Sequence, residues 1–483
     1  MSAPQAAAPG ADASWQVPLN LAWVLVCGFL VMFMQAGFAM VETGFTREKN
    51  AAHTMAMNFM VFSLGILGYW ACGFALMFGG TGAAESVSTV ATLGGDVGKV
   101  LSQSIGFRFG DAYFGIAGNA GYFLSGEALA SGVFALFLFQ AVFMDTAATI
   151  PTGTMAERWR FLPFCIYAVA VGAFIYPLYG HWVWGGGWLA ALGKNFGLGH
   201  GHVDFAGSSV VHLCGAVIGL VGTLMLGPRQ GKFNADGSAN PIPGHNLPMA
   251  FVGTFILMFG WFGFNAGSTL AASDLQIGII ATNTMLAGAA GAATAMVTTW
   301  FKFRRPDPSF MCNGLLAGLV AITASCAFVE AWSAVLIGAV AGILVVVSAI
   351  FLEERLQVDD PVGAVSVHGA CGAWGIVALG LFANGRYGAG WNGVGAEVYL
   401  GQSVKPGASG GVTGLLFGDA GQLVAQIIGT GTCVVAVGAM AFLLFGVLGV
   451  LFGNRSDPVE ERAGIDIPEL GTTAYPRETG LRA

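Results

Sequence analysis

The chain has 483 residues, of which 55% are hydrophobic and only 9% are charged, whereas about 25% of the residues in soluble domains are charged. This composition excludes an ordinary soluble domain, and the net charge of −7 says little about a chain that lies mostly in lipid. Glycine contributes 75 residues without a collagen-like period, as in transmembrane helices that pack closely. We therefore predict an all-α protein with many membrane spans, and we expect neither an enzyme nor a nucleic-acid partner.

Eleven stretches are long and apolar enough to be membrane spans, because one helical span needs about 20 apolar residues. The predicted spans cover residues 19–46, 50–79, 128–156, 160–180, 204–226, 247–265, 277–301, 309–328, 331–355, 361–384 and 419–452. The Gly-rich link at 80–127 is polar and is not expected to span the bilayer.

The basic residues predict the orientation of these spans. With the N-terminus outside, eleven spans place the C-terminus inside, and most of the 19 basic residues then fall in inside segments. The basic residues left outside are Lys99, Arg108, Lys194, Arg386 and Lys405. The positive-inside rule expects this bias, and the opposite orientation would invert it.

The domain organisation follows from these spans. Residues 1–18 form a flexible extracytoplasmic segment, residues 19–452 form the transmembrane domain, and residues 453–483 form a polar cytoplasmic tail. The eight cysteines lie in apolar stretches and no Cys-x-x-Cys pair occurs. We expect them to pack in the interior, and we predict no disulfide, no metal site and no cofactor.

Two nine-residue stretches carry the same pattern: DFAGSSVVH at 204–212 and DPVGAVSVH at 360–368. In both, Asp is followed by Gly at plus three, Val at plus seven and His at plus eight. Each Asp can cap a helix N-terminus, and eight helical residues then rise about 12 Å, towards the bilayer midplane. A histidine in an apolar helix needs a polar partner, so we predict that His212 and His368 are partners.

The two histidines also predict an internal symmetry. His212 lies in the fifth predicted span and His368 in the tenth, so their helices cross the membrane in opposite senses. This arrangement describes an inverted repeat of spans 1–5 and 6–10, with the eleventh span outside the symmetry. A lone buried histidine is more often a packing residue, but a symmetric pair at the midplane favours a functional pathway.

Two carboxylates inside predicted spans are further candidates, because an intramembrane acid is usually functional. Glu42 lies near the inner end of the first span, where Arg47 or Lys49 could pair with it. Asp145 lies in the third span, where it is either a hydrogen-bond hub with the nearby threonines or a group that alters proton handling. The sequence does not choose between these readings of Asp145.

Several long motifs, taken together and in order, resemble the ammonium transporter family (Amt/Mep, with the Rh proteins as distant relatives). They are QAGFAMVETGFTREKN (35–50), FQAVF (139–143), AERWRF (156–161), VWGGG (183–187), DFAGSSVVH (204–212), GWFGFNAGS (260–268), DDPVGAVSVHGACGAWG (359–375), GIDI (464–467) and AYP (474–476). The resemblance implies eleven spans, an outside N-terminus, the inverted repeat and a homotrimer with one pore per subunit, in a cell (inner) membrane.

The resemblance also implies an outer ammonium-binding site formed by Trp184, Phe139 and Ser268. Trp184 would offer a cation–π face worth up to ~2 kcal/mol, and the serine hydroxyl would accept a hydrogen bond from ammonium. The alternative for Trp184 is an interfacial anchor in an aromatic belt. Asp204 is either a structural helix cap or a buried carboxylate that stabilises the cation.

Below that site, the family places two stacked phenyl rings as a gate, and Phe143 and Phe264 hold those positions. The predicted mechanism is deprotonation of ammonium near the gate, passage of ammonia through an apolar pore, and relay of the proton by His212 and His368. Transport would then carry one charge per molecule. The alternatives are conduction of neutral ammonia and an ammonium sensor that binds but conducts poorly.

The resemblance bears on partners and on the tail as well. Ammonium or ammonia, the lipid bilayer and other copies of the chain are the expected partners, together with a PII signal protein at the inner face. Leu470 and Thr472 depart from the family there, since the usual residues are His and Glu. Sensor members usually carry a fused signalling domain, and the chain ends about 30 residues after the eleventh span, which favours a transporter.

Overall fold

Long apolar stretches with few charges fold as helices, because a helix satisfies its own backbone hydrogen bonds where water is absent. The computed structural model describes residues 15–83, 88–94, 96–388, 390–395, 398–399, 402–403 and 410–475. In this part of the chain, ten helices are long and apolar enough to cross a membrane. They are α1 (Gln16–Phe45), α2 (Glu48–Phe78), α3 (Ser131–Thr154), α4 (Phe161–Val183), α5 (Ser208–Leu226), α6 (Leu247–Gly267), α7 (Ile277–Phe303), α9 (Ala331–Glu354), α10 (Val365–Phe382) and α11 (Ala420–Phe452).

The eighth helix, α8 (Pro308–Ile322), is apolar but has only 15 residues. The sequence predicted this span at 309–328, so the observed helix ends six residues early. The carbonyl groups just after the helix bind the segment before α5 instead of continuing the helix. The amide of Ala206 donates to Thr323 O at 3.1 Å and that of Phe205 to Ala324 O at 3.2 Å. The other predicted spans agree with the observed helices to within a few residues, and the all-helical membrane class is confirmed.

Helices α1 to α5 and α6 to α10 repeat the same arrangement. The contacts of α1 with α3, of α2 with α4 and of α3 with α5 recur between α6 and α8, α7 and α9, and α8 and α10. Helix α1 starts beside Thr92, whose carbonyl accepts from Asn20 at 3.1 Å, and it ends beside Asn246, at the start of α6. The two helices therefore run in opposite directions. We call the side where α1 begins the N-terminal face and the opposite side the tail face.

Glycines allow the helices to approach each other closely. A Cβ on Gly37 in α1 would lie 2.9 Å from the carbonyl oxygen of Gly253 in α6, and a Cβ on Gly291 would lie 2.2 Å from that of Gly314. No side chain fits such gaps, so backbone packs directly on backbone, which is how membrane helices associate without a hydrophobic driving force. The glycine content therefore has a packing role.

Two small β-elements lie outside the helices and were not predicted from the sequence. Strands β1 (Ser104–Phe109) and β2 (Ala112–Gly118) form an antiparallel hairpin in the link after α2. Strands β3 (Tyr387–Gly388), β4 (Val398–Tyr399) and β5 (Gln402–Ser403) form a short antiparallel sheet after α10. The prediction that the link at 80–127 does not span the membrane agrees with this hairpin.

A buried cluster of ions joins four loops at the tail face. The Arg229 guanidinium lies 2.9 Å from Glu157 and 2.8 Å from Asp359, and all three side chains are buried. Glu157 also accepts hydrogen bonds from Arg47 and from Asn50. Burial by itself would raise the pKa of Asp359, but the Arg229 guanidinium outweighs burial and holds this pKa well below its usual range.

The tail packs against the same face. Helices α12 (Pro458–Ala463) and α13 (Asp466–Leu470) follow α11. The Asp466 carboxylate accepts from the amides of Ala52 and His53 at 3.0 and 2.8 Å, which caps the first turn of α2. The Lys49 ammonium donates to the carbonyls of Glu461 and Arg462. The 1–18 segment is described only from residue 15, with α1 beginning at Gln16, and residues 1–14 and 476–483 lie outside the described chain.

Substitution of the central cation should destabilise the tail face. In Arg229→Met, the Glu157 and Asp359 carboxylates keep their burial but lose their counter-charge, which costs about 3–5 kcal/mol of stability. We expect a clearly lower midpoint of thermal unfolding in detergent. The matched control is Arg386→Met, because the Arg386–Glu330 pair is largely exposed and should contribute about 1 kcal/mol or less. Equal midpoints for the two variants would contradict the prediction.

Candidate functional site

The repeated Asp and Gly build two matching helix starts. The Asp204 carboxylate accepts from the amides of Gly207 and Ser208, each at 2.9 Å, before α5. The Asp360 carboxylate accepts from the amide of Gly363 at 3.0 Å, before α10. Gly207 has φ +118° and Gly363 φ +77°, a region that a Cβ disfavours. The Asp therefore caps the helix and the Gly at plus three allows the turn.

Each histidine then lies in a widened, π-helical turn at the start of its helix. These turns cover Ser208–Leu213 and Val365–Ala370, and such turns are frequent at functional sites. Helix α5 enters from the N-terminal face and α10 from the tail face. The helix starts therefore bring the two histidines together from opposite sides.

His212 and His368 are hydrogen-bonded to each other. Their Nδ1 atoms are 3.1 Å apart, and their rings are tilted by 25° with centroids 5.1 Å apart. One Nδ1 must donate and the other accept, so two neutral rings hold opposite tautomers. His212 Nε2 is buried, and no described residue bonds to it, so it is free for a small guest.

Aromatic rings surround the pair. Trp261 stacks on His212 at a centroid distance of 5.1 Å, Phe264 lies at 5.6 Å, and Phe38 lies 6.1 Å from His368. The Trp261 indole donates to the Thr323 hydroxyl at 2.9 Å, which fixes its orientation. The histidines therefore lie in a low-dielectric interior with few polar groups.

The two phenyl rings predicted as a gate lie stacked. Phe143 and Phe264 have centroids 3.9 Å apart and planes 18° apart, and both rings are fully buried. Phe264 contacts His212 on one side, and Phe143 contacts Phe139 and Trp184 on the other. The stacked rings therefore separate the histidines from the N-terminal face.

Beyond these rings, Phe139, Trp184 and Ser268 line one cavity of about 50 Å³. A single water-sized molecule needs roughly 10–15 Å³ on this measure, so the cavity holds a few. The Trp184 indole donates to the Asp204 carbonyl at 2.6 Å. The Ser268 hydroxyl donates to Phe264 O at 2.8 Å, which leaves its oxygen lone pairs to accept from a cation.

Gln140 is a cavity residue that the sequence reasoning missed. Its side chain lines the same cavity, and its buried Oε1 has no partner among the described residues. A buried amide oxygen without a donor is costly, and a guest with N–H groups would remove that cost. The sequence could have indicated Gln140, since a glutamine beside Phe139 in an apolar span is itself unusual.

Both oxygens of the Asp204 carboxylate accept hydrogen bonds from residues at the start of α5. Besides the two amides already named, Oδ2 accepts from the amide and hydroxyl of Ser209, each at 2.7 Å, and from the amide of Val210 at 3.0 Å. His202 Nε2 lies 3.0 Å from the Ser209 hydroxyl, and burial lowers the pKa of His202 to about 4. Neutral His202 thus donates to this network, and the observed geometry of Asp204 is that of a cap.

On the tail side, His368 opens into a second cavity of about 20 Å³ that Glu42 also lines. The predicted pairing of Glu42 with Arg47 or Lys49 is wrong. Arg47 pairs with Glu157 and Lys49 bonds to tail carbonyls. Glu42 accepts from neutral groups instead, because its carboxylate turns into the helix bundle, away from the loop cations.

Asp145 lines neither of these two cavities. The hydroxyls of Thr146 and Thr149 donate to Val142 O and to Asn58 Oδ1, so the predicted hub with these threonines does not form. Asp145 Oδ1 is buried, and no described group bonds to it. The two threonines are close to Asp145 in the sequence, but their hydroxyl groups donate to other acceptors in the folded protein.

Comparison with known proteins decides the family. The model of the Ammonium Transporter Family matches residues 22–475. The chain belongs to the ammonium transporter family. It is 46% identical over 463 residues to the ammonium transporter Amt2 of Archaeoglobus fulgidus, covering 95% of this chain and 89% of the relative. It is 36% identical to the ammonium transporter Amt1 of Haloferax mediterranei, over 96% of this chain and 80% of that one.

Solved structures of the ammonium transporter family agree with this fold. One called "Sensor Amt Protein" has a TM-score of 0.78 and 33% identity and covers 95% of this chain and 100% of its own. Mep2 of Candida albicans has a TM-score of 0.73 at 23% identity, over 93% and 89%, which shows the fold alone. The resemblance inferred from the motifs is confirmed, and this member of the family is a multi-pass membrane protein.

Removal of the Asp204 charge should weaken the start of α5. In Asp204→Asn, an NH2 group replaces one oxygen and faces the donors of Ser209 and Val210, which costs about 1–3 kcal/mol. We expect a lower midpoint of thermal unfolding in detergent. Asp236→Asn is the control, because Asp236 accepts from the amide and hydroxyl of Ser238 in the same way but is exposed. An unchanged midpoint for Asp204→Asn would show that the cap is dispensable.

Proposed function

We propose that this protein transports ammonium across the cell membrane, by taking the proton from the cation and passing ammonia through the pore. The observation that carries the proposal is the hydrogen-bonded pair His212–His368, placed behind the stacked rings of Phe143 and Phe264. Family membership supports the same substrate, since two similar relatives are named ammonium transporters.

The apolar passage requires the cation to lose its charge. Moving a small bare cation from water into a low-dielectric interior costs on the order of 20 kcal/mol before compensation. The groups around the histidines are mainly aromatic and aliphatic and offer little compensation. Neutral ammonia has no such barrier, so the proton and the ammonia must separate near the stacked rings.

The cavity at the N-terminal face would select the cation first. Trp184 and Phe139 present aromatic faces to a cation, and Ser268 offers a hydroxyl oxygen whose own proton is already donated. The free Oε1 of Gln140 provides a second acceptor. Potassium has no N–H donor for these oxygens, which favours ammonium. The backbone carbonyl of Asp204 orients the Trp184 indole by accepting its hydrogen bond.

The histidine pair would then carry the proton. Ammonium gives a proton to His212 and becomes ammonia, and the shared Nδ1–Nδ1 bond passes a proton on to His368. Ammonia moves along the rings and regains a proton at the tail face. One ammonia and one proton cross together, so each cycle moves one positive charge. Histidine suits this role because one ring nitrogen can accept a proton while the other donates one.

The proposal also includes the orientation of the protein in the membrane and its assembly. The N-terminal face lies outside and the tail face inside, as the distribution of basic residues indicates. Three copies assemble with one pore each. A PII signal protein would bind the inside face, where the 453–475 part of the tail packs. Leu470 and Thr472 replace the residues that the family usually has there, so its binding is expected to be weak.

Replacement of either histidine should abolish the current. We expect ammonium to drive a current in proteoliposomes on a supported membrane, while potassium drives none and methylammonium drives a smaller one. His212→Ala and His368→Ala should each lower the ammonium current by about 10²-fold or more, as for other positioned proton-transfer groups. His245→Ala is the control, because His245 lies in the loop before α6.

The same assay separates the competing functions. An undiminished current in both pore-histidine variants would contradict the relay. Ammonia flux without current in the unmodified protein would indicate a neutral gas channel. Binding without flux or current would indicate a sensor, which deserves this direct test because a similar solved structure is called a sensor.

Replacement of Trp184 should weaken recruitment of the cation. Trp184→Leu removes the aromatic face, worth up to ~2 kcal/mol, which is roughly a 30-fold rise in the ammonium concentration at half-maximal current. Trp184→Phe keeps an aromatic face but loses the bond to Asp204, so its shift should be smaller. Trp182→Leu is the control, since Trp182 donates to Ile116 O outside the cavity. Equal values for Trp184→Leu and Trp182→Leu would indicate an interfacial anchor only.

A further inference from the structure

Glu42 is a buried acid at the tail-side end of the passage. Its side chain is 3% exposed, and it lines the cavity of about 20 Å³ that His368 also lines. The other walls are apolar except for Asn313. The cavity has room for one or two waters, since one needs roughly 10–15 Å³. Water there would connect the imidazole and the carboxylate.

A chain of neutral groups fixes the position of this carboxylate. Glu42 Oε2 accepts from Asn58 Nδ2 and from the Thr152 hydroxyl, both at 2.7 Å. Asn58 Oδ1 accepts from the Thr149 hydroxyl at 2.9 Å, and that hydroxyl accepts from Gln35 Nε2 at 3.0 Å. Three helices, α1, α2 and α3, thus hold the acid in place without supplying a positive charge.

The cavity leads on to the tail face. Asn313 and Val362 line both this cavity and a larger one of about 190 Å³. The larger cavity is lined by Asp360, Glu353 and Lys232, which are the groups of a hydrated vestibule. Glu42 therefore lies between the inner histidine and water at the tail face.

We propose that Glu42 is the proton station between His368 and the tail-face vestibule. This inference rests on the proposed proton relay. The His368 imidazolium gives a proton through cavity water to the Glu42 carboxylate, and the neutral acid releases it to vestibule water. The ammonia that arrives there takes up a proton and leaves as ammonium. Each cycle leaves both histidines neutral, with exchanged tautomers, and Glu42 as a carboxylate, and one proton crosses per ammonia.

The charged groups around Glu42 fit this role. His368 faces it from α10 and Asp360 lies before the same helix, while Arg47 and Lys49, beyond the end of α1, are engaged elsewhere. Asp204 lies at the other end of the pore. Among the described residues, Glu42 is thus an acid that shares a cavity with His368 and is held by neutral partners without a paired cation.

The test compares Glu42→Gln and Glu42→Asp with the unmodified protein in proteoliposomes. The amide oxygen of Gln accepts from Asn58 and Thr152 as the carboxylate does, so the fold is retained, but Gln cannot take up a proton. We expect Glu42→Gln to lower the ammonium current by about 10²-fold, at the lower end for a positioned proton acceptor. Neutral ammonia permeability, measured by stopped flow with an internal pH dye, should not change. Glu42→Asp keeps the carboxylic acid and should recover part of the current.

Thr146→Val is the matched control, because Thr146 is a buried threonine of α3 whose hydroxyl donates to Val142 O and takes no part in the chain that holds Glu42. We expect its current to equal that of the unmodified protein. A normal current in Glu42→Gln would overturn the proposal, and so would equal losses in Glu42→Gln and Thr146→Val, which would indicate a structural role. Absence of current in the unmodified protein would overturn the relay itself, and the assignment of Glu42 with it.

Discussion

The cost of a charge in an apolar interior is the constraint on which this structure depends. A bare cation would lose on the order of 20 kcal/mol on leaving water, and the passage offers few groups that could offset the loss. The proposed transport therefore divides the task between separate sites. Aromatic faces and free oxygens lie at the N-terminal face, two imidazoles lie inside, and Glu42, an acid held by neutral groups, lies near the tail face.

The two imidazoles meet because the fold contains the same Asp-Gly-His helix start twice. In each half, Asp caps a helix, Gly takes a positive φ three residues later, and His lies five residues further on. The halves run in opposite directions, so the helices carry their histidines to the same depth from opposite faces. Each half supplies one histidine, and the Nδ1 atom of that histidine bonds to the Nδ1 atom of the histidine from the other half.

Polar groups outside the passage hold this frame together. Arg229 binds the loops that carry Glu157 and Asp359, and the tail caps α2 through Asp466. These contacts lie where the lipid-embedded parts of the helices end, so these ion pairs and caps stabilise the frame at the boundary of the bundle. Close backbone contacts at glycines hold the helices within the apolar layer, where no hydrophobic force between helices is available.

The sequence by itself determined the spans, the doubled Asp-Gly-His pattern and the family, because each is a local property: length and hydropathy, a cap at a fixed offset, or a motif. Tertiary structure alone decided which acid meets which partner. Arg47 lies five residues from Glu42, yet it pairs with Glu157, because loops from four spans converge at the tail face. The free oxygen of Gln140, the early end of α8 and the shared cavity of Glu42 and His368 also arise from contacts between distant segments. Spacing along the chain carries no information about such contacts when helices 20 or more residues long separate the partners.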